Sequence, residues 1–272
     1  MGGEPRAPRT LSAFYHRVAP TTAAMFHAHS HMREVDDDAA LDPYVLAAME
    51  MPDGILGLRP AMARRLRRLI EGPPVATPGL QRQLVTDLLT ILHESLHACG
   101  PEDRRRMRAA AVDVSATDGT GAFDEGFVEW AAQRSLPAFI RALGLDSRNP
   151  WLLTNPAKGA YEPLPVAMGS LVVHVASLRG VSALAESRRL IQAGVPKFAL
   201  ETLARDWVAA GRTSASRADA PHVRDSILRM AQTITATGGY DADGVRAANR
   251  LIRSIDRQLG IGSPVADVRA VA

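Results

Sequence analysis

Between Gly72-Pro73-Pro74 and Gly100-Pro101, leucine recurs at every fourth position: Leu84, Leu88, Leu92 and Leu96, with Val85, Leu89 and Ile91 beside it. Residues four apart share one face of a helix, and the flanking positions widen that face well beyond the stripe of a surface helix. The pattern predicts a helix buried in the centre of its domain. Thr77 stands where a cap is expected, Pro78 suits the first helical position, and Gly100-Pro101 ends the run.

The pattern on either side is less regular. Residues 1–10 read as a disordered tail, and residues 11–50 as helical stretches interrupted by Asp36-Asp37-Asp38. A turn at Met51-Pro52-Asp53-Gly54 leads into Ile55-Leu56-Gly57-Leu58-Arg59 before Pro60, a short apolar run that predicts a strand. From Ala61 to Glu71 the apolar positions Met62, Leu66, Leu69 and Ile70 predict an amphipathic helix with four arginines on its solvated side. Further helices are predicted from about Phe123 to Arg134 and from Val166 to Leu178. Several more are expected between Val181 and Leu259, separated by Gly180, Gly194, Gly211 and Gly238-Gly239. The fold class expected is α+β and helix-dominated, with a small β element before the central helix.

Composition changes this picture little. The 272 residues are 46% hydrophobic and 22% charged, ordinary for a globular chain, and the net charge is +3. No nucleic-acid partner is expected from so small an excess, despite a pI near 9.4. The positive charge is nearly all arginine, a bias that suggests a high-GC bacterial or phage genome. Cys99 is the single cysteine, so no disulfide framework exists. Neither a secretory signal nor a membrane span is expected, which makes the cytoplasm the default and leaves signal-independent export open. The oligomeric state is not legible.

The central helix carries the chemistry, in His93-Glu94-Ser95-Leu96-His97. Two histidines four apart can reach one ion, and zinc takes such imidazole ligands. Glu94, the next residue round, can accept a proton from a water in the open coordination position. Histidines on so apolar a helix need compensation for their burial, and a metal supplies it. At this chain's His and Glu frequencies the pattern arises by accident in roughly one sequence in a hundred. A third ligand is available in Phe123-Asp124-Glu125-Gly126-Phe127-Val128-Glu129-Trp130, where Glu125 and Glu129 share one helical face. One can bind the metal while the other accepts the free N–H of a ligating histidine. Spacing alone does not choose between them. Gly126 removes a side chain where two helices approach.

Together, HESLH and DEGFVEW resemble the motifs of the gluzincin peptidases, the group that includes thermolysin and the aminopeptidase N family. The resemblance implies a zincin-like metallopeptidase domain that holds Zn2+ through His93, His97 and Glu125, with Glu94 as general base and Glu129 as the supporting carboxylate. Asp124 stands where these families often have Asn. The resemblance further implies that Gly54, Ile55, Leu56, Gly57 and Leu58 form an edge strand that pairs with extended peptide, and that Tyr161 stabilises the oxyanion. It covers roughly residues 45–195 and is specific in its two motifs. The implied organisation is a tail over 1–10, a catalytic domain over 11–195 and an α-helical part over 196–272 packed on it. The implied activity is hydrolysis of peptide bonds in a peptide or protein substrate. The alternatives are a zincin-fold binding or regulatory protein without turnover, and a zinc hydrolase acting on a non-peptide amide.

Other histidines carry weaker signals. His174, among Val172, Val173 and Val175, is a second oxyanion candidate but reads more simply as a satisfied core residue. His27, His29 and His31 alternate as on a strand face, yet nothing around them predicts a strand, so a solvated segment is expected.

Overall fold

The computed structural model describes residues 6–41, 45–50, 53–73, 75, 77–103, 119–155, 163–194, 197–211, 219–237 and 241–261. Among these the chain is helix-dominated with a small β element. Two compact units can be distinguished, residues 1–104 with 132–159, and residues 105–131 with 160–272. They interleave in sequence, whereas a linear reading divides the chain at 195. No single helix among the described residues is long and apolar enough to cross a membrane.

The first unit opens with helix α1, Leu11–Phe26, capped by Thr10, whose side chain accepts from the Ala13 N–H. Of the expected tail, residues 6–10 have defined positions, and the Arg6 carbonyl accepts from Arg17. The α1 residues Leu11, Phe14, Val18 and Phe26 are buried at helical spacing. Helix α2, Pro60–Glu71, buries Met62, Leu66, Leu69 and Ile70 and turns Arg64, Arg67 and Arg68 to solvent. Helix α3, Pro78–His97, buries all four leucines of the repeat with no exposed surface. Each such leucine contributes about 1.5–3 kcal/mol relative to an exposed one. Thr77 occupies the N-cap position of α3, but its side chain makes no capping bond.

Among the described residues, five short strands accompany these helices: β1 His29–Ser30, β2 Glu34–Asp36, β3 Ala47–Glu50, β4 Ile55–Leu58 and β5 Cys99–Gly100. The pair β1–β5 is antiparallel, with His29 opposite Gly100 and Ser30 opposite Cys99. The expectation that no strand forms over His27–His31 therefore fails at His29–Ser30, and the expected solvation holds at His27 and His29 but fails at His31, which is 4% exposed. The pairing partner lies about 70 residues away, at the end of α3, where local sequence gives no hint of it. In the second sheet the order is β2-β4-β3, with β4 parallel to β2 and antiparallel to β3. The segment Gly54, Ile55, Leu56, Gly57, Leu58 thus leads into and forms a central strand rather than an edge, since neighbours occupy both of its sides. Gly54 has φ +76°, and a Cβ there would come within 2.1 Å of the His31 carbonyl oxygen, so only glycine fits this turn.

Helix α4, Thr120–Ala142, runs through both units and is longer than the predicted Phe123–Arg134 at each end. The second unit is otherwise built from α5 Leu164–Leu178, α6 Ala183–Ala193, α7 Lys197–Ala210, α8 Asp219–Thr237 and α9 Asp241–Gln258. Three of the predicted glycine breaks, at Gly180, Gly194 and Gly211, fall between consecutive helices, and the fourth, Gly238-Gly239, lies outside the described residues. Helix α5 is buried nearly all round and packs against α6, α7 and α9. A Cβ on Gly126 of α4 would lie 2.9 Å from both Leu164 Cβ and Met168 Cγ, so the predicted close approach of two helices there is present.

Candidate metal centre

The last two turns of α3 present the histidine pair. His93 is 3% exposed and His97 half-buried, and their rings meet edge to face with centroids 4.8 Å apart. Their Nε2 atoms lie 3.0 Å apart. A tetrahedral zinc with bonds of about 2.0–2.2 Å separates its ligand atoms by roughly 3.3 Å. The two nitrogens are thus spaced as ligands of one small ion are. One ligand atom from each of His93, His97 and Glu125 lies within 4.8 Å of the others, so these three residues could hold one metal ion.

On α4, Glu125 is half-buried, while Asp124 and Glu129 are buried at 6% and 3% exposure. The helical period places Glu129 one turn beyond Glu125 on the same face. Tyr161 lies outside the described residues. His174 is not placed as an oxyanion donor. Its Nε2 pairs with Asp256 Oδ1 at 3.0 Å, and the Trp207 indole donates to the same oxygen at 2.9 Å, all three being buried. That is the satisfied core histidine expected for a ring with its partners in place.

Sequence reasoning missed the neighbour of Glu94. The Met49 backbone N–H donates to Glu94 Oε2 at 3.0 Å. Met49 belongs to β3, where the Leu46 and Glu50 carbonyls accept from Arg59 and Gly54 on the β4 side. Alternation along an antiparallel strand then turns the Met49 N–H and C=O away from β4. The edge beside Glu94 is therefore β3. Its sequence, Ala47-Ala48-Met49-Glu50, lacks the β-branched and aromatic residues that would have announced a strand.

Two neighbours of the centre, Cys99 and His31, are buried. Burial pushes the Cys99 thiol up to about 12, which makes it an inert packing residue rather than a ligand. His31 is also buried, and desolvation lowers its pKa even though Nε2 lies 2.8 Å from the Pro101 carbonyl. The His29 and His31 rings touch, with centroids 4.9 Å apart. Earlier on α3, Asp87 takes a bidentate pair of bonds from Arg65 of α2, at 2.7 and 2.6 Å, with the carboxylate 1% exposed. Met32 reaches α3 as well, its sulfur lying 3.9 Å from the Ser95 hydroxyl, which donates to the Ile91 carbonyl at 2.6 Å.

Comparison of the chain with protein-family models, curated proteins and solved structures finds no match in any of the three.

Proposed function

We propose that this chain is a zinc-dependent hydrolase of gluzincin type that cleaves peptide bonds. The observation that carries the reading is the convergence of His93 Nε2 and His97 Nε2 to 3.0 Å, with a Glu125 ligand atom within 4.8 Å. In this reading His93, His97 and Glu125 hold the ion. Zinc so held supplies a Lewis acid and a water acidic enough to lose its proton near neutral pH. The chain's own residues do the rest. Glu94 accepts the water proton and returns it to the leaving amine, and the Met49 N–H fixes its carboxylate in position. Glu129 steadies the ring of a ligating histidine from one turn away on α4. Extended peptide lies along β3, where Glu94 holds the Met49 N–H and the remaining outward groups, those of Ala47 and the Met49 carbonyl, are left for pairing, and the half-exposed Val45 and Leu46 lead into that edge.

The test is proteome-derived peptide cleavage profiling combined with metal analysis. Wild type should carry one zinc per chain and cleave. Glu94→Gln should keep the zinc and lose about 100- to 10,000-fold in rate, because the amide keeps the shape without the basicity. Glu125→Ala should lose most of the metal, whereas Glu129→Ala should weaken affinity or rate by about 10- to 100-fold. A chain that takes up no zinc, or a Glu94→Gln variant that cleaves at the wild-type rate, overturns the reading.

A further inference from the structure

A cavity of about 690 Å³ lies in the first unit, where α1, the stretch from Met32 through β2, and α2 come together. Its volume is in the range of cavities that hold drug-sized ligands. Its wall carries charge of both signs: Arg33 and Arg67 on one side of the balance, Glu34, Asp37 and Glu71 on the other. Glu71 is engaged, since its carboxylate accepts from the Leu11 N–H at 2.8 Å in the first turn of α1. The remaining two cations and two anions form no ion pair with another described residue, although all four line one concavity. Tyr15 also lines it, and its hydroxyl is buried without a hydrogen-bond partner among the described residues. An unmade bond at a buried hydroxyl is a standing free-energy penalty that a ligand removes.

We infer that this cavity binds a short zwitterionic peptide, its ammonium end at Asp37 and Glu34, its carboxylate end at Arg67 and Arg33, and Tyr15 hydrogen-bonded to it between them. Two cations and two anions that form no ion pair with another described residue are the complement of a ligand that carries one charge of each sign. A ligand with one sign alone would leave the opposing pair facing it, which is repulsive. The size of the cavity favours several residues over a single amino acid. Burial first, and then the charge of Asp37, raises the pKa of Tyr15, while Arg67 opposes the shift. The phenol therefore remains protonated and is available as donor or acceptor. The inference is independent of the proposed hydrolase, because none of these residues belongs to the metal centre.

The experiment is a two-dimensional NMR titration of the full chain with triglycine, N-acetyl-triglycine and triglycine amide, in chelator so that the metal centre takes no part. Triglycine should shift the Tyr15, Asp37 and Arg67 amides and saturate. Each blocked peptide should bind at least tenfold more weakly. Tyr15→Phe, which keeps the ring and its packing, should weaken triglycine about two- to tenfold, the worth of one hydrogen bond. Asp37→Asn should erase the preference over the acetylated peptide, and Arg67→Gln the preference over the amide. Absence of saturable shifts at these amides, equal binding of all three peptides, or an unchanged Tyr15→Phe variant overturns the assignment.

Discussion

Arg65 and Asp87 show what a single pair does inside this chain. Asp87 sits among the buried leucines of α3, and the guanidinium of Arg65 closes both of its oxygens. Burial works to push the carboxyl up and Arg65 works against it, while the carboxylate keeps the guanidinium above its ordinary range. Removing one partner strands the other in a dry site. Arg65→Ala should lower unfolding stability by about 3–5 kcal/mol. Arg65→Met together with Asp87→Leu should recover most of that loss, because an apolar pair of similar bulk needs no counter-charge. Urea denaturation of the single and double variants measures both. A loss below about 1 kcal/mol for Arg65→Ala would place the pair among ordinary surface bridges.

At the scale of elements, the helices were legible and the strand pairings were not. The leucine repeat marked α3, and Pro78 and Gly100-Pro101 fixed its limits to within a few residues, because a helix declares itself in local periodicity. The same holds for the helical breaks at Gly194 and Gly211. A strand's neighbours are set by residues far away, so Ile55–Leu58 could be read as a strand but not as the middle one. Likewise His29–Ser30 became a strand through Cys99–Gly100. The metal candidates were legible because a motif fixes them by spacing, whereas Met49 was invisible because its role belongs to the main chain. The sheet order has a direct test. Leu56→Pro removes a backbone donor from a strand paired on both sides and should cost about 3 kcal/mol or more, or prevent folding. Met49→Pro removes a donor that points off the sheet, so it should leave a folded chain while loosening Glu94 and slowing peptide cleavage. Circular dichroism melts beside the cleavage rate separate the two outcomes. If Leu56→Pro melts like wild type, β4 is an edge after all.

For the molecule as a whole, the end of α3 is where chemistry and stability meet. His97 is followed within two residues by Cys99, which has no exposed surface and pairs through its backbone with Ser30. This one thiol is a built-in clock for the opening of that region. Alkylating reagents attack a thiolate, and a thiol held near 12 inside the fold offers almost none, so modification proceeds through opened molecules. A metal on His93 and His97 favours the closed form by about 2.7 kcal/mol at a free concentration one hundred times its dissociation constant. Labelling of Cys99 by iodoacetamide should therefore slow about 100-fold in zinc and speed up again in chelator. A rate indifferent to both would mean that no ion binds there. The buried cysteine thus lets metal occupancy be timed with an ordinary thiol reagent, before any substrate is in hand.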